Sequence, residues 1–171
     1  MALVVVDLQE KLAPHIEGID GILKNTVKLI KALKALEIPI LVTEQIKLGK
    51  TVDAVADVVK SGPIEKATFS CFKNREFKKR LEDTKADKVI LAGIEAHICI
   101  LQTAVDLKKA GYDVYVAADC IGSRKSYDKE IAIMRMQSEG IKLTTSESII
   151  YELMETAEHP AFREILEIVK S

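Results

Sequence analysis

Apolar positions along this chain follow two rhythms. Five short stretches are apolar almost without a break: "LVVVD" (Leu3 to Asp7), "IPILVTE" (Ile38 to Glu44), "KVILAG" (Lys88 to Gly93), "DVYVAAD" (Asp113 to Asp119) and "IKLTT" (Ile141 to Thr145). Runs without clean alternation are expected of parallel strands covered on both faces. A sixth short strand is placed near "KATFS" (Lys66 to Ser70). Between the runs the apolar residues recur at helical spacing. "GILKNTVKLIKALKALE" puts Ile22, Thr26, Leu29, Ile30, Leu33 and Leu36 on one stripe, with lysines opposite. Further helices are predicted at about Arg75 to Thr84, His97 to Ala110, Asp128 to Glu139 and Glu147 to Glu155. A last one begins at Pro160 and repeats Phe162, Ile165, Leu166 and Val169. Glycines in "KAGYDVYV" and "SEGIKLT" stand where a helix stops before the next strand.

Strands alternating with helices are βαβ units. The predicted fold is α/β: a three-layer, doubly wound, mainly parallel sheet of five to six strands flanked by helices, Rossmann-like in plan. At 171 residues it is read as a single domain spanning 1–171, with no repeat, linker or low-complexity segment. In such folds ligands bind beyond the carboxyl ends of the strands, near the point where strand order reverses.

Composition narrows the function classes. There are 25 basic and 26 acidic side chains, for a net charge of −1, which offers no electrostatic reason for nucleic acid or an anionic membrane as partner. Four Phe, four Tyr and no Trp leave little for stacking bases. No apolar run approaches the roughly 18 residues of a membrane span, and no basic leader precedes "LVVVD". Cys71, Cys99 and Cys120 are too few and too irregularly spaced for a disulfide scaffold or a CxxC metal site. The chain is therefore read as cytoplasmic, with reduced thiols.

Strand ends supply the candidate chemistry. Asp7, the Glu44–Gln45 pair, the segment from Gly93 and Asp119 each close a predicted strand. An aspartate so placed is more often a cap or loop anchor than a catalyst. No GxGxxG follows the first strand and no GxxxxGK[ST] occurs, so the usual phosphate cradles are missing. In "GIEAHICILQTAVDLKKAG", Cys99 falls in the first turn of a predicted helix. Unpaired N–H groups there favour a thiolate and can hold an oxyanion. A buried, inert cysteine fits the same spacing. Cys71 and Cys120 lack this placement and are read as packing residues. His97 lies two residues from Cys99 and so points to another side of the helix, a poor proton acceptor for the thiol. Asp7 is better placed, since its strand should neighbour that of Leu91. Lys66, in the irregular "PIEKATFSCF", is the one lysine whose surroundings hint at more than solvation; a lysine between the two would fix the carboxylate and lower the thiol pKa.

Taken together, "VVVDLQEKL", "PILVTEQ", "EKATFSCF", "LAGIEAHICILQTAVDL", "VAADCIGSR", "MRMQSEGIKLTTSESIIYEL" and "HPAFREILEIVK" make the chain resemble the isochorismatase-like (cysteine hydrolase) superfamily, in particular its isochorismatase-domain proteins. The resemblance implies a triad of Cys99 as nucleophile, Asp7 as proton acceptor and Lys66 as its partner. It also implies a cis peptide at Ile94–Glu95 and an oxyanion hole from the N–H groups of Glu95 and Cys99. Nicotinamidase relatives bind a metal through an Asp and two His after the second strand; "TEQIKLGKTVDAVADVVK" has no His, so no metal and no cofactor is expected. True isochorismatases lack the nucleophilic cysteine, which argues against vinyl-ether cleavage. N-carbamoyl amidases of the superfamily are longer chains.

The expected function is hydrolysis of a C–N, amide-like bond in a small metabolite through a thioester. The alternatives are a non-catalytic small-molecule-binding or scaffold protein that retains the triad, and a redox sensor using Cys99 with Cys71 or Cys120. Thr43, Glu44, Gln45, Phe69, Phe72, His97 and Cys120 are candidates for the pocket wall. The expected partners are a small-molecule substrate and further copies of the chain, in a homo-oligomer paired near "IAIMRM".

Overall fold

Along β1 (Ala2–Val6) the side chains divide between two cores, and this explains the absence of alternation in the sequence. Ala2, Val4 and Val6 enter one core, while Leu3 and Val5 enter the other. Both faces are covered, so every position is apolar. The computed structural model describes residues 1–171. Its sheet adds β2 (Ile40–Gln45), β3 (Ile64–Lys66), β4 (Lys88–Ile94), β5 (Asp113–Gly122) and β6 (Lys142–Thr144), all parallel, in the order β3-β2-β1-β4-β5-β6. The three-layer doubly wound architecture is thus the observed one.

One layer of helices consists of α1 (Ile19–Ala35), α2 (Asp53–Val59), α6 (Ser146–Met154) and α7 (Phe162–Lys170). The other consists of α3 (Arg75–Asp83), α4 (Leu101–Lys109) and α5 (Ser126–Ser138). The α1 stripe is buried as its spacing requires, with Ile22, Leu29, Ile30 and Leu33 in the core that α1 forms with β4 and β5. Each such side chain contributes about 1.5–3 kcal/mol of burial free energy. Phe77 and Leu81 anchor α3 to the opposite face, and Asn74 caps it by accepting the Phe77 N–H at 2.9 Å.

Several boundaries differ from the sequence reading, each for a physical reason. The short strand is Ile64–Lys66 rather than Lys66 to Ser70, because beyond Lys66 the backbone leaves the sheet to surround that lysine's ammonium. β5 runs on to Gly122, because its ladder with β4 slips between Leu91 and Gly93 and then resumes at Ile121 and Gly122. α2 has only seven residues, too few for a readable period. The helix predicted from His97 opens with a π-helical turn, Ala96–Ile100, before α4 begins.

Strand order reverses between β1 and β4, so the topological switch point falls at their carboxyl ends, where the turns after Val6 and Ile94 begin. Gly93 lets the two strands approach. Its φ is +120°, and a Cβ there would collide with the Val6 carbonyl. At this position the chain has no alternative to glycine.

Candidate active site

Asp7 follows β1 directly. Had the strand continued, its side chain would have pointed to the face of Leu3 and Val5. Instead Asp7 adopts φ +51°, and the turn brings its carboxylate onto the other face, beside β2 and β3. A non-glycine residue in this region costs about 1–3 kcal/mol, and such strain concentrates at functional sites. The backbone is held by the Asp7 N–H on the Thr43 carbonyl (3.2 Å) and the Gln9 N–H on the Asp7 carbonyl (2.8 Å).

Period two along the neighbouring strands brings the partners to the same face. Thr43 and Gln45 alternate with Glu44 on β2, and Lys66 lies two residues beyond the core residue Ile64 on β3. Asp7 is fully buried and Lys66 nearly so. Lys66 Nζ donates to Asp7 Oδ2 at 2.7 Å, to Gln45 Oε1 at 2.7 Å and to the carbonyls of Thr68 and Phe69 at 3.2 Å each. Its fifth neighbour is Cys99 Sγ, at 3.8 Å. Burial works against the ammonium, but the Asp7 carboxylate beside it, with the Cys71 and Cys99 sulfurs once they ionise, outweighs it, and the Lys66 pKa stands above its ordinary value. The other oxygen of the carboxylate, Oδ1, accepts the Thr43 hydroxyl at 2.7 Å.

Cys99 sits in the π-helical turn after β4, with 7% of its surface exposed. The Ile94–Glu95 peptide before the turn is cis. The Glu95 carbonyl accepts the N–H groups of Ile98 (3.1 Å) and Ile100 (3.2 Å), passing over Cys99 between them. The Glu95 side chain is also buried and accepts from Arg124 through its backbone N–H at 3.0 Å and Nε at 3.1 Å. The helix-terminus argument predicts an acidified thiol, and here the structure corrects it. Burial, and then the Asp7 charge, push the Cys99 pKa well up, so the resting group is a neutral thiol beside an ion pair.

The structure brings Asp7, Lys66 and Cys99 together and disperses part of the predicted pocket wall. Cys120 is buried in the opposite core, beside Thr26, Asp119 and Ser146. Phe72 packs edge-on against Tyr112, with Lys78 over its ring. Glu44 points away from the site, where it accepts both the N–H and the hydroxyl of Thr51 at 2.7 Å, bordering a cavity of about 370 Å³ floored by Val42, Ala56 and Val59. Strand alternation accounts for the Glu44 placement. Phe69 leaves its ring in solvent and gives its carbonyl to Lys66. His97 is partly exposed and turned to β5 and α5, with Nδ1 at 2.9 Å from Ser123 Oγ, just past β5, and Nε2 at 4.0 Å from Asp128 Oδ2. Thr43 and Gln45 are not merely lining; they bond the charged pair directly. Cys71, read from sequence as a packing residue, has Sγ at 3.7 Å from Thr43 Oγ1. The signal for Thr43 and Gln45 was present in the two alternate polar positions that end an apolar strand. Nothing in the spacing pointed to Cys71.

The family model for the isochorismatase domain matches residues 1–148. The chain belongs to the isochorismatase family. This isochorismatase-domain chain is 38% identical over 172 residues to isochorismatase domain-containing protein 2A of Mus musculus, covering 98% of the chain and 82% of the relative. Among solved structures it is similar to a MAR1 ribonuclease from Caenorhabditis elegans, at 38% identity and a TM-score of 0.93, covering 99% of this chain and 89% of that one. YcaC from Pseudomonas aeruginosa, solved with hexane-2,5-diol and covalent acrylamide, shares the fold at 20% identity and a TM-score of 0.87, over 99% of this chain and 94% of that one.

Proposed function

We propose that this family member is a cysteine hydrolase that cleaves the C–N bond of a small amide. The observation that carries the reading is the buried lysine reaching both Asp7 Oδ2 (2.7 Å) and Cys99 Sγ (3.8 Å). In the proposed sequence, the thiol proton passes to the Asp7 carboxylate as sulfur attacks the carbonyl carbon. A neutral thiol next to an anionic acceptor suits this order, with no thiolate needed at rest. Lys66 keeps the carboxylate in place and stabilises negative charge on sulfur and on the acceptor. The N–H groups of Glu95 and Cys99 receive the oxyanion. The C–N bond breaks as Asp7 returns the proton to nitrogen, releasing ammonia or an amine and leaving a thioester. Water, losing a proton to Asp7, then cleaves the thioester to the acid, and the thiol takes that proton back.

The test is to incubate the protein with a panel of small primary amides, measuring ammonia, and with p-nitrophenyl acetate, measuring intact mass. Ammonia release, and an acetyl adduct on Cys99 that is absent in Cys99→Ser and slow in Asp7→Asn, support the hydrolase. No adduct and no ammonia leave a binding or scaffold protein. The ribonuclease name of the 38%-identical Caenorhabditis elegans relative gives a second reading, cleavage of RNA. Single-stranded RNA in the same assay checks it, with strand scission that depends on Cys99, Asp7 and Lys66 as the result in its favour. The three unpaired thiols suit a reducing compartment. The apolar side chains of Tyr127, Ile131 and Met134, exposed along α5, suit assembly with further copies.

A further inference from the structure

Behind Asp7 lies a second line of buried polar groups that the proposed chemistry leaves unused. A carboxylate oxygen accepts only, so the Thr43 hydroxyl spends its single proton on Asp7 Oδ1 at 2.7 Å. Its lone pairs remain free to accept, and the group facing them is the Cys71 thiol at 3.7 Å. Cys71 is wholly buried, and burial pushes its pKa up to about 11, which keeps it a donor. Its position is fixed from the far side: the Cys71 N–H donates at 2.9 Å to Thr103 Oγ1, on α4, the helix that continues from the Cys99 turn. Thr43 thus donates to Asp7, and the Cys71 thiol faces the lone pairs that remain on the hydroxyl.

We infer that Thr43, with Cys71 behind it, is a positioning relay: the Thr43 proton occupies Asp7 Oδ1 and turns the proton-accepting side of the carboxylate toward Cys99. Thr43 acts through Asp7, the group it bonds, and Cys71 acts through Thr43. Two donors in series polarise one another, so the hydroxyl holds the carboxylate more firmly than it would alone. Lys66 anchors Oδ2 in the same way, and the carboxylate cannot rotate without losing one bond or the other. The three residues come from β2, the turn after β3 and α4, so the relay also ties Asp7 to the helix carrying the nucleophile. It rests on the reading of Asp7 as proton acceptor and of Cys99 as nucleophile.

The experiment measures single-turnover acetylation of Cys99 by p-nitrophenyl acetate, by intact mass and p-nitrophenolate release, from pH 5 to 9. The proteins are wild type, Thr43→Val, Thr43→Ser, Cys71→Ser and Cys71→Ala, with thermal melts to confirm folding. Thr43→Val keeps the shape and removes the donor; it should acetylate roughly 10- to 100-fold more slowly, with the acid limb of its profile at higher pH. Thr43→Ser should come within a few-fold of wild type. Cys71→Ser keeps a donor and should be near wild type, whereas Cys71→Ala should lose about 2- to 5-fold. If Thr43→Val matches wild type in rate and pH profile, or if Thr43→Ser is as slow as Thr43→Val, the relay is refuted. Should Thr43→Val not fold, the Thr43→Ser and Cys71 variants still decide: a Cys71→Ala rate equal to wild type, or a Thr43→Ser rate down 10-fold or more, overturns it. Wild-type protein that never acetylates at Cys99 would instead refute the hydrolase reading itself.

Discussion

Replacing Lys66 with methionine removes a charge and keeps most of the volume. In the native protein the ammonium lies 2.7 Å from Asp7 Oδ2, with both side chains shut off from solvent. Lys66→Met leaves the carboxylate buried with the Thr43 hydroxyl as its remaining side-chain donor, and it orphans Gln45 Oε1 and the Thr68 and Phe69 carbonyls. Breaking a buried pair by deleting one partner costs about 3–5 kcal/mol, mostly for the stranded charge. In a chain of this length each kcal/mol moves Tm by about 2–4 °C, so the expected fall is about 6–20 °C. Urea and thermal melts followed by far-UV circular dichroism at pH 7 measure it. Asp7→Asn/Lys66→Met strands no charge and should recover about 2 kcal/mol or more relative to the sum of the single variants. A Lys66→Met protein within 1 kcal/mol of wild type, or strict additivity in the cycle, would show that the pair is hydrated and that the buried-site argument is wrong.

Other outcomes follow from the same geometry. Alkaline pH should destabilise the fold from about pH 9, because buried Cys71 (pKa about 11) and Cys120 (about 12) hold protons that the unfolded chain releases near the ordinary 9.0. The folded state then binds more protons than the unfolded one, so stability falls as pH rises. Cys120→Ala should flatten that slope in urea titrations at pH 8 to 10.5. Lys66 adds to the loss above its ordinary 10.5, since its contribution disappears as pH rises through its raised folded pKa. Gly93→Ala should lose about 3 kcal/mol or more, or fail to give soluble protein, because the new methyl group meets the Val6 carbonyl at a φ suited to glycine. Ile131→Glu, on the exposed apolar stripe of α5, should leave the melting curve within about 0.5 kcal/mol and lower the mass seen by light scattering. An unchanged mass would show that this stripe is not an interface between copies.

How much of this was legible in the sequence depends on what each feature needed. Strands buried on both faces announce themselves as unbroken apolar runs, and α1 as a stripe, so the sheet and its layers were readable from Leu3, Val5, Leu29 and Leu33. The grouping of Asp7, Lys66 and Cys99 was implied by the family resemblance; strand ends alone pointed to Asp7 and left Cys99 open between a nucleophile and a buried, inert thiol. The proton state of Cys99 was not legible. A helix-terminus argument treats the thiol as if in water, whereas its burial and the Asp7 charge are set by segments 92 positions apart in sequence. The left-handed turn at Asp7 was equally hidden, since no glycine marks it. Cys120 was misplaced because proximity along the chain to a motif says nothing about which side of the sheet a side chain joins.

The sheet order has a consequence for how such a protein can be divided. Strands β1 to β3 form one side of the sheet and come entirely from residues before Asp83; β4 to β6 form the other and come entirely from residues after it. The first fragment owns Asp7, Lys66, Thr43 and Cys71, and the second owns Cys99 and Glu95. A cut in the loop between α3 and β4 would therefore yield two pieces, each carrying half of the chemistry and an open row of β1 or β4 hydrogen-bonding groups. Rejoining along that seam is the event that assembles the site. Adduct formation at Cys99 with the geometry described here would then serve as a built-in reporter of complementation between the fragments.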